Sequence, residues 1–535
     1  MLSLLFLWAA LIGVGSALAE AVRLNGPGEE GDASIAFLGY IWCALLFMGW
    51  CFLAFSLFLP LRGPLLFAVW AIFCVAPALV IYRKRARVFK TPIPFPAILV
   101  IFGVAAILAE RSTWIGNLND TGGYHWNIVQ WLNEYGVVPG LGLFQVRLGT
   151  TSSWLALTAA LNAGPLEGQV LAVANGALLL VTILLFILAC YRIYRSSLEI
   201  HHWFLAAGVL LLLPTMLRWE MRLSPSPDVP SMLAPLMVAW FILRSERFIA
   251  FGLAALAVTV KLNALPLLGI SFLAYVTRPG IAPARSALAA MGLSAVVLAP
   301  LVAASLLTTG CILFPSPVGC FDIPVGIGPL AAKGYSAIVR NTAEWHAGGA
   351  VVVTCIGSAA LLFKVRTFEN KVWWVCALAV AGIAFVSAFA QDMRFGRGYL
   401  LVLPALAIAV HRSWLQVRVR EAAALAPRLA GLGAGILLLV AFVQPLYKDA
   451  LRGRLVPADP SINTANPERW LRPSRLRYAG PFVDRKLNGF SYALAIEGTC
   501  WDHPIPCASS EGWPAMQPFR LQGPPNRLDR GFAKP

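Results

Sequence analysis

The chain alternates long apolar runs with short polar connections, and this pattern predicts a bundle of membrane-spanning helices. A helix needs about 20 apolar residues to cross the hydrocarbon core, and shorter pieces fit inside a thick bundle. Counted in this way, the sequence predicts an all-α, polytopic transmembrane bundle of about 14 passes. The predicted segments are Leu2–Val22, Ile35–Leu59, Leu65–Tyr82, Pro94–Leu108, Leu166–Cys190, Trp203–Leu217, Met232–Leu243, Ile249–Val260, Leu262–Val276, Ala287–Leu307, Ala350–Phe363, Val372–Ala390, Tyr399–Val410 and Leu429–Phe442.

The first apolar run leaves two interpretations open. It ends in Ala17-Leu18-Ala19, which resembles a signal-peptidase site, but no basic residues precede it. Because a signal peptide begins with a positive segment, we expect Met1–Ala19 to be retained as a first span rather than cleaved.

Basic residues between the apolar runs predict the topology. The strongest cluster, Arg83-Lys84-Arg85-Ala86-Arg87, marks a cytoplasmic loop, because basic loops stay on the cytoplasmic side. The later basic clusters fall on the same side of the count. The external side then receives the loops around Asp120, Asp228, Cys311 and Asp392, together with the tail after Val443.

Composition agrees with this picture. The 535 residues are 59% hydrophobic and only 13% charged, which excludes a soluble globular domain of this length. The net charge of +17 is distributed in short clusters between apolar runs, as the positive-inside rule requires. We therefore expect no nucleic-acid partner. We expect a multi-pass protein of a bacterial inner membrane, with a periplasmic C-terminal tail and the lipid bilayer as its surroundings.

Four of the ten cysteines lie outside the apolar runs and form two close pairs. Cys311 and Cys320 share one loop, and Cys500 and Cys507 bracket a short tail segment. These spacings suit local disulfides in an oxidising compartment. Zinc binding is the weaker alternative, since neither pair has the two-residue spacing or a second matching pair.

The segment Asn119-Asp120-Thr121-Gly122-Gly123-Tyr124-His125-Trp126 is the main candidate for chemistry. It places a carboxylate, a tyrosine and an imidazole directly after an apolar run, where ionisable groups are costly and usually functional. Asp120 is the candidate catalytic group, and Tyr124 and His125 are candidate substrate contacts. Two structural alternatives remain: Asp120 caps the following helix, and His125 is an interface residue with one satisfied hydrogen bond. If folding brings His125 to Asp120 and Asp228, the three would form a divalent-cation site.

Other ionisable residues stand at the external ends of apolar runs. Asp228 follows the loop Ser224-Pro225-Ser226-Pro227 directly before a returning span, and Lys261 interrupts the apolar stretch 249–276. We expect two short helices to meet at this break, with Lys261 pointing into a cavity. Arg394 and Arg397 begin another span. From their position alone, they would snorkel to the interface or pair with Asp392.

These features resemble the GT-C superfamily of membrane glycosyltransferases over roughly residues 94–410. The superfamily carries an acidic residue early in its first external loop, followed by two membrane-parallel helices. Here the matching residue is Asp120, and its spacing to Tyr124 is similar to the aminoarabinose and protein-mannosyl branches. Asp228 matches a second acid of that family. Three extra spans before this core, and Asn119-Asp120 in place of an Asp-Glu pair, depart from its usual plan.

The resemblance implies a reaction and a domain organisation. The reaction is transfer of a sugar from a polyprenyl-phosphate donor to a glycan, lipid or protein acceptor. The carboxylate of Asp120 would remove the acceptor proton, with Asp228 as a second catalytic carboxylate, and Lys261, Arg394 and Arg397 would bind the donor phosphate. The organisation is 1–93 as extra N-terminal spans, 94–443 as the GT-C-like core with the external loop 110–165, and 444–535 as an irregular external cap. The rival hypotheses are a flippase for lipid-linked saccharides and an O-antigen-type polymerase. Tyr124-His125, Arg147-Leu148-Gly149 and the Cys500–Cys507 segment also resemble a group of uncharacterised bacterial membrane proteins.

Overall fold

The fold is taken from a computed structural model of the chain. The structure describes residues 33–72, 101–106, 108, 120–163, 167–216, 224–341, 356, 358–359, 362, 369–389, 393–425, 482–487, 490–496, 499–509 and 519–535.

Helices make up most of the described chain, as the apolar pattern predicts. A π-helical turn covers Thr121–His125, and short 3₁₀ turns cover Val146–Gly149, Leu262–Ala264 and Leu528–Arg530. The α-helices are α1 (Ala33–Ser56), α2 (Trp126–Tyr135), α3 (Leu141–Phe144), α4 (Ser153–Leu161), α5 (Val173–Tyr194), α6 (Ile200–Thr215), α7 (Asp228–Leu243), α8 (Arg247–Val260), α9 (Leu265–Val276), α10 (Pro283–Thr309), α11 (Pro329–Asn341), α12 (Asn370–Phe389), α13 (Met393–Val410) and α14 (Arg412–Leu425).

Four helices in the described residues are long and apolar enough to cross a membrane, namely Ser34–Ser56, Val173–Tyr194, Pro283–Thr309 and Asn370–Phe389. Residues 394–418 form a fifth if the pair of helices bent by 68° counts as one span. The prediction of about 14 passes is not supported. Several of the predicted spans are apolar helices too short to pass the same test, including α7 and α8, and Leu2–Val22 and Leu429–Phe442 lie outside the described residues.

Helix α7 lies in the middle of the bundle. All of its residues are buried, from Asp228 to Leu243, and it packs against α13, α8 and α12. A helix that is apolar on every side must be covered on every side by other helices or by lipid, and here other helices cover it. Asp228, the acidic residue of α7, therefore lies at the end of the bundle where α8 ends and α13 begins.

The segment 120–163 does not lie on the surface. Helix α4 is not a surface helix, because all nine of its residues are buried, mainly against α1. The helix begins at Ser152, whose hydroxyl accepts a hydrogen bond from the amide of Trp154 at 3.3 Å. Its sequence, SWLALTAAL, has no polar face wide enough to remain in water, which explains its burial.

The C-terminal tail is not wholly irregular, and the all-α class therefore requires a correction. Strands β1 (Phe482–Leu487) and β2 (Phe490–Ala495) are antiparallel, and β3 (Cys507–Ser509) pairs in parallel with β2. Strands β4 (Arg520–Leu521) and β5 (Phe532–Ala533) form a second small sheet. Aromatic side chains of the tail then surround Phe144 of α3; they are Phe490, Tyr492, Phe519 and Phe532.

Both predicted disulfides are confirmed. The sulfur atoms of Cys311 and Cys320 lie at bonding distance, and so do those of Cys500 and Cys507. The first pair closes the loop after α10, and the second closes the turn before β3. The tail also meets the first of these loops, because the amide of Lys534 donates to the carbonyl of Pro324 at 2.8 Å.

The crossing of α13 and α7 depends on a glycine. A Cβ on Gly398 would collide with the backbone carbonyl of Met232, which cannot move aside as a side chain can. Gly398→Ala should therefore lower the free energy of unfolding by about 1–3 kcal/mol through overpacking. Gly252→Ala in α8 is the matched control: no atom lies within 4 Å of its Cβ position, so it should stabilise slightly through helix propensity. Thermal unfolding in detergent measures both, and an equal response of the two variants would contradict this packing.

Candidate functional site

Asp120 begins the π-helical turn but does not cap it with its side chain. Its carboxylate accepts no hydrogen bond from the backbone of that turn. It pairs instead with two cations: Arg394 Nη1 lies 2.9 Å from Oδ2, and Arg147 Nη1 lies 3.7 Å from Oδ1. The carboxylate is therefore directed toward side chains of other segments, as a group with a chemical role would be.

Asp228 is the second acid of the same site. It is the first residue of α7, and only 7% of its side chain is exposed. Its carboxylate forms an ion pair with Lys261 and lies 3.8 Å from Arg394 Nη1. A carboxylate this deeply buried requires such partners, because an unpaired buried charge is strongly unfavourable.

Lys261 occupies the predicted break between two short helices. It is the extended residue between α8 and the 3₁₀ turn 262–264, with φ −159° and ψ 137°. Its Nζ lies 3.8 Å from the ring centroid of Phe395, a cation–π distance. Asn263 fixes the break, because its side chain donates to the carbonyl of Phe395 at 3.2 Å and accepts from the hydroxyl of Ser231 at 2.6 Å.

Arg394 joins the two halves of the site. The same nitrogen, Nη1, approaches both Asp120 and Asp228, and its guanidinium lies 4.9 Å from the ring centroid of Phe395. Arg394 and Asp120 are 274 positions apart in the sequence. Four of the sequence-predicted residues therefore meet in one ionic cluster, which we call the charge cluster: Asp120, Asp228, Lys261 and Arg394.

Two arginines differ from the sequence interpretation. Arg397 is half-buried, one turn after Arg394, and forms no ion pair with a carboxylate of the described residues. Arg147, in contrast, was given no role, although it contacts Asp120 and its guanidinium lies 5.5 Å from the ring centroid of Tyr124. Arg147 borders none of the predicted membrane spans, so the rule that charges beside hydrocarbon are functional does not select it.

Tyr124 and His125 lie directly behind Asp120. Their rings are 4.2 Å apart, and His125 is buried with its Nδ1 lacking a hydrogen-bond partner among the described residues. Burial lowers the pKa of His125 to about 4 despite the nearby carboxylates, so the imidazole is neutral at pH 7. Burial also raises the pKa of Tyr124 well above its ordinary value. Both side chains are thus uncharged neighbours of the charge cluster.

The electrostatic balance of Asp120 differs from that of these neighbours. Burial alone would raise the pKa of its carboxyl group, but the positive charge of Arg394 opposes that effect. The net result is a pKa below the ordinary 3.8. Asp120 is therefore ionised at pH 7 and can accept a proton.

Hydrogen bonds connect the two loops that carry the acids. The hydroxyls of Thr121 and Ser224 are 2.6 Å apart, and the amide of Asp228 donates to the hydroxyl of Ser226 at 3.2 Å. Asn175 of α5 supports this loop by donating to the carbonyls of Ser224 and Ser226 at 2.9 and 3.2 Å. The relative position of Asp120 and Asp228 is thus held by neutral bonds as well as by Arg394.

The site carries more positive than negative charge. Arg147, Lys261 and Arg394 face two carboxylates, and the side chains of these cations are 24%, 25% and 35% exposed. The cations are therefore accessible at the rim, while Asp228 lies deeper. Such an arrangement can bind an anionic ligand and hold an ionised carboxylate beside it. In the part of the chain that the structure describes, no group of three His, Cys, Asp or Glu residues is placed to hold a metal ion.

The protein is mostly helical and membrane-associated, and it has an ionic site at the ends of its helices. Residues 1–350 match the family model described as Domain of unknown function (DUF8201), which is more than half of the chain, and the protein belongs to this family. The matched part contains Asp120, Arg147, Asp228 and Lys261, whereas Arg394 and the tail lie beyond it. No curated protein and no solved structure matches the chain.

The pairing of Lys261 with Asp228 should be visible in stability. Lys261→Met leaves the buried Asp228 carboxylate without its nearest partner and should lower the free energy of unfolding by about 3 kcal/mol. Adding Asp228→Asn should restore most of that loss, since no charge then remains to be compensated. Lys333→Met, at an exposed lysine of α11, is the matched control. Chemical unfolding in detergent measures the wild type, each single site variant, the double variant and the control, and additive effects of the two site substitutions would contradict the pairing.

The neutral state of His125 predicts a pH dependence of stability. Between its ordinary pKa of 6.5 and its folded pKa of about 4, the unfolded chain binds a proton that the folded chain does not. Stability should therefore fall as the pH is lowered through this window, by about 3 kcal/mol in all. His125→Gln should remove this slope and leave the acid lability below pH 3.8 that Asp120 contributes. Unfolding midpoints from pH 7 to 4 test this, and parallel curves for the two proteins would refute it.

Proposed function

We propose that the protein is a membrane glycosyltransferase of GT-C type. It transfers a sugar from a polyprenyl-phosphate-linked donor to an envelope glycan, lipid or protein acceptor. The observation that carries this proposal is the charge cluster, in which two carboxylates and two cations from distant segments meet at one end of the apolar helices. An anionic lipid head and a proton-donating acceptor both have suitable partners there.

The cations bind the phosphate of the donor in this proposal. The guanidinium of Arg394 has five N–H donors in a planar fork, so it can bind phosphate oxygens while it stays near the carboxylates. Lys261 adds a compact charge, and it lies against the ring of Phe395 as Arg394 does. Both cations stabilise the negative charge that develops as the phosphate leaves the sugar. The sequence-based assignment of Arg397 to this role stays a prediction.

Asp120 is the proposed general base. It is ionised and more exposed than Asp228, with 23% of its side chain accessible against 7%. The acceptor oxygen or nitrogen bonds to the anomeric carbon, the bond from that carbon to the phosphate oxygen breaks, and polyprenyl phosphate leaves. The acceptor proton passes to Asp120. Asp228 remains paired and fixes Lys261 and Arg394 in position.

The membrane placement belongs to the same proposal. The basic clusters indicate that the loops around Asp120, Asp228 and Cys311 and the tail share the external face of a bacterial inner membrane. These segments do contact one another: the amide of Gly140 donates to the carbonyl of Leu307, and the tail reaches both Pro139 and Pro324. Disulfides in the same segments suit an oxidising compartment.

A transporter of lipid-linked saccharide is the second candidate. It is favoured by the interrupted helix at Lys261, because discontinuous helices with charged breaks are typical of transport sites. A polymerase of O-antigen type would share the donor chemistry and differ in its acceptor.

The decisive variant is Asp120→Asn, tested in sealed vesicles with a labelled polyprenyl-phosphate sugar. Loss of the base should lower the rate of transfer about 10²- to 10⁴-fold. Asp484→Asn, at an exposed residue of β1, is the matched control and should keep the wild-type rate. Full activity of Asp120→Asn would eliminate the proposed base. Movement of the donor across the vesicle membrane with its covalent structure intact would favour the transporter.

A further inference from the structure

The tail contributes a short segment that contacts the π-helical turn next to Asp120. We call residues 499–507 the tail loop. It lies between strand β2 and strand β3, and the disulfide between Cys500 and Cys507 joins its two ends. The pairing of Ala493 with Cys507 in the sheet also joins the end of the loop to β2. The loop is therefore a closed unit rather than a free chain end.

The tail loop contacts the backbone of the π-helical turn. The amide of Trp501 donates to the carbonyl of Gly122 at 3.0 Å. Gly122 has no room for a side chain, because a Cβ there would collide with the hydroxyl of Thr499 and the ring of Trp501. The turn and the tail loop thus approach each other so closely at Gly122 that only a residue without a side chain fits there.

Side-chain bonds extend this contact to the start of α2. The indole Nε1 of Trp126 donates to Oδ1 of Asp502 at 3.2 Å, and Gln130 donates to the carbonyl of His503 at 3.3 Å. Trp126 is buried, so its position is set by its neighbours and not by solvent. Asp502 thereby fixes the residue that directly follows the π-helical turn.

Both the tail loop and the turn that it contacts have an uncommon backbone conformation. Trp501 has φ of +44°, which a non-glycine residue adopts only when its surroundings hold it there. A π-helical turn is likewise rare and occurs mostly as a single turn. The two unfavourable conformations face each other and share a backbone hydrogen bond.

We propose that Asp502 is a positioning residue of the site. Through Trp126, and with the backbone bond from Trp501, it holds the Thr121–His125 turn in the geometry that presents Asp120 to Arg394 and the substrate. This inference rests on the proposed function for its kinetic consequence. Its structural consequence, a fixed turn, is independent of any activity.

The structural arm is local amide hydrogen exchange of residues 121–126 in detergent or nanodiscs. Asp502→Ala should speed exchange there at least about tenfold, because the turn loses its outer support. Exchange in α4 should not change, which separates local release from general unfolding. Asp502→Asn retains an oxygen that can accept from Trp126 and should restore slow exchange. Asp484→Ala, at an exposed residue of the same sheet, is the matched control.

The kinetic arm uses the transfer assay. Asp502→Ala should lower kcat about 10- to 100-fold with little change in the KM for the donor, because the base is misplaced while the cations on the donor phosphate remain. Asp502→Asn should recover most of kcat. In a Trp126→Phe background, which lacks the donor, Asp502→Ala should add little further loss.

The outcomes separate the two proposals. Unchanged exchange and unchanged kcat in Asp502→Ala would overturn the positioning role and leave the glycosyltransferase proposal standing. Faster exchange at 121–126 in a protein whose wild type transfers no sugar would support the positioning role and refute the proposed function. Equal effects of Asp502→Ala and Asp502→Asn would show that the hydrogen bond to Trp126 is not the cause.

Discussion

The ion pairing around Arg394 is the interaction on which the site depends. The carboxylates of Asp120 and Asp228 come from different loops, and the same guanidinium nitrogen approaches both. Each acid lies among apolar helices, where an isolated charge would be very unfavourable. The ends of α7, α8 and α13 and the π-helical turn must therefore meet for the charges to be compensated. Folding of the bundle and assembly of the site are the same event.

The surroundings of this cluster make its geometry specific. Neutral hydrogen bonds through Thr121, Ser224 and Asn175 hold the acid-bearing loops together, and the tail closes over the turn from the other side. Ion pairs alone tolerate a range of distances, whereas hydrogen bonds and close backbone contacts do not. The chain thus combines long-range attraction with short-range positioning. A site of this kind suits a reaction in which a base and a leaving phosphate must be held on either side of one carbon atom.

The sequence identified the charged residues for a physical reason that holds in the structure. Asp120, Asp228, Lys261 and Arg394 each interrupt or border an apolar run, and such residues need partners. The disulfide pairs were predictable from local spacing, and the break at Lys261 from a lysine within an apolar stretch. Arg147 has no such context, since its contact with Asp120 exists only through the tertiary fold. The acids could be recognised from the sequence. Which arginine contacts them could not, because Arg394 and Arg397 lie only one helical turn apart.

The number of spans and the tail were harder to predict. An apolar run has the same composition whether it crosses a bilayer or is buried among other helices, and α4 and α7 are buried on all sides. The tail strands are only two to six residues long, which is too short for an alternating pattern to be distinct. The tail strands pack instead around one aromatic side chain, Phe144 of α3, which is far from them in the sequence.

The most direct test of the central claim is a structure determined by electron cryomicroscopy with a polyprenyl-phosphate sugar bound. The account predicts phosphate density within about 3.5 Å of Arg394 and Lys261, with Asp120 facing the anomeric carbon from the same side of the membrane. Density for the phosphate elsewhere on the protein, or Asp120 separated from these cations in the determined structure, would contradict it.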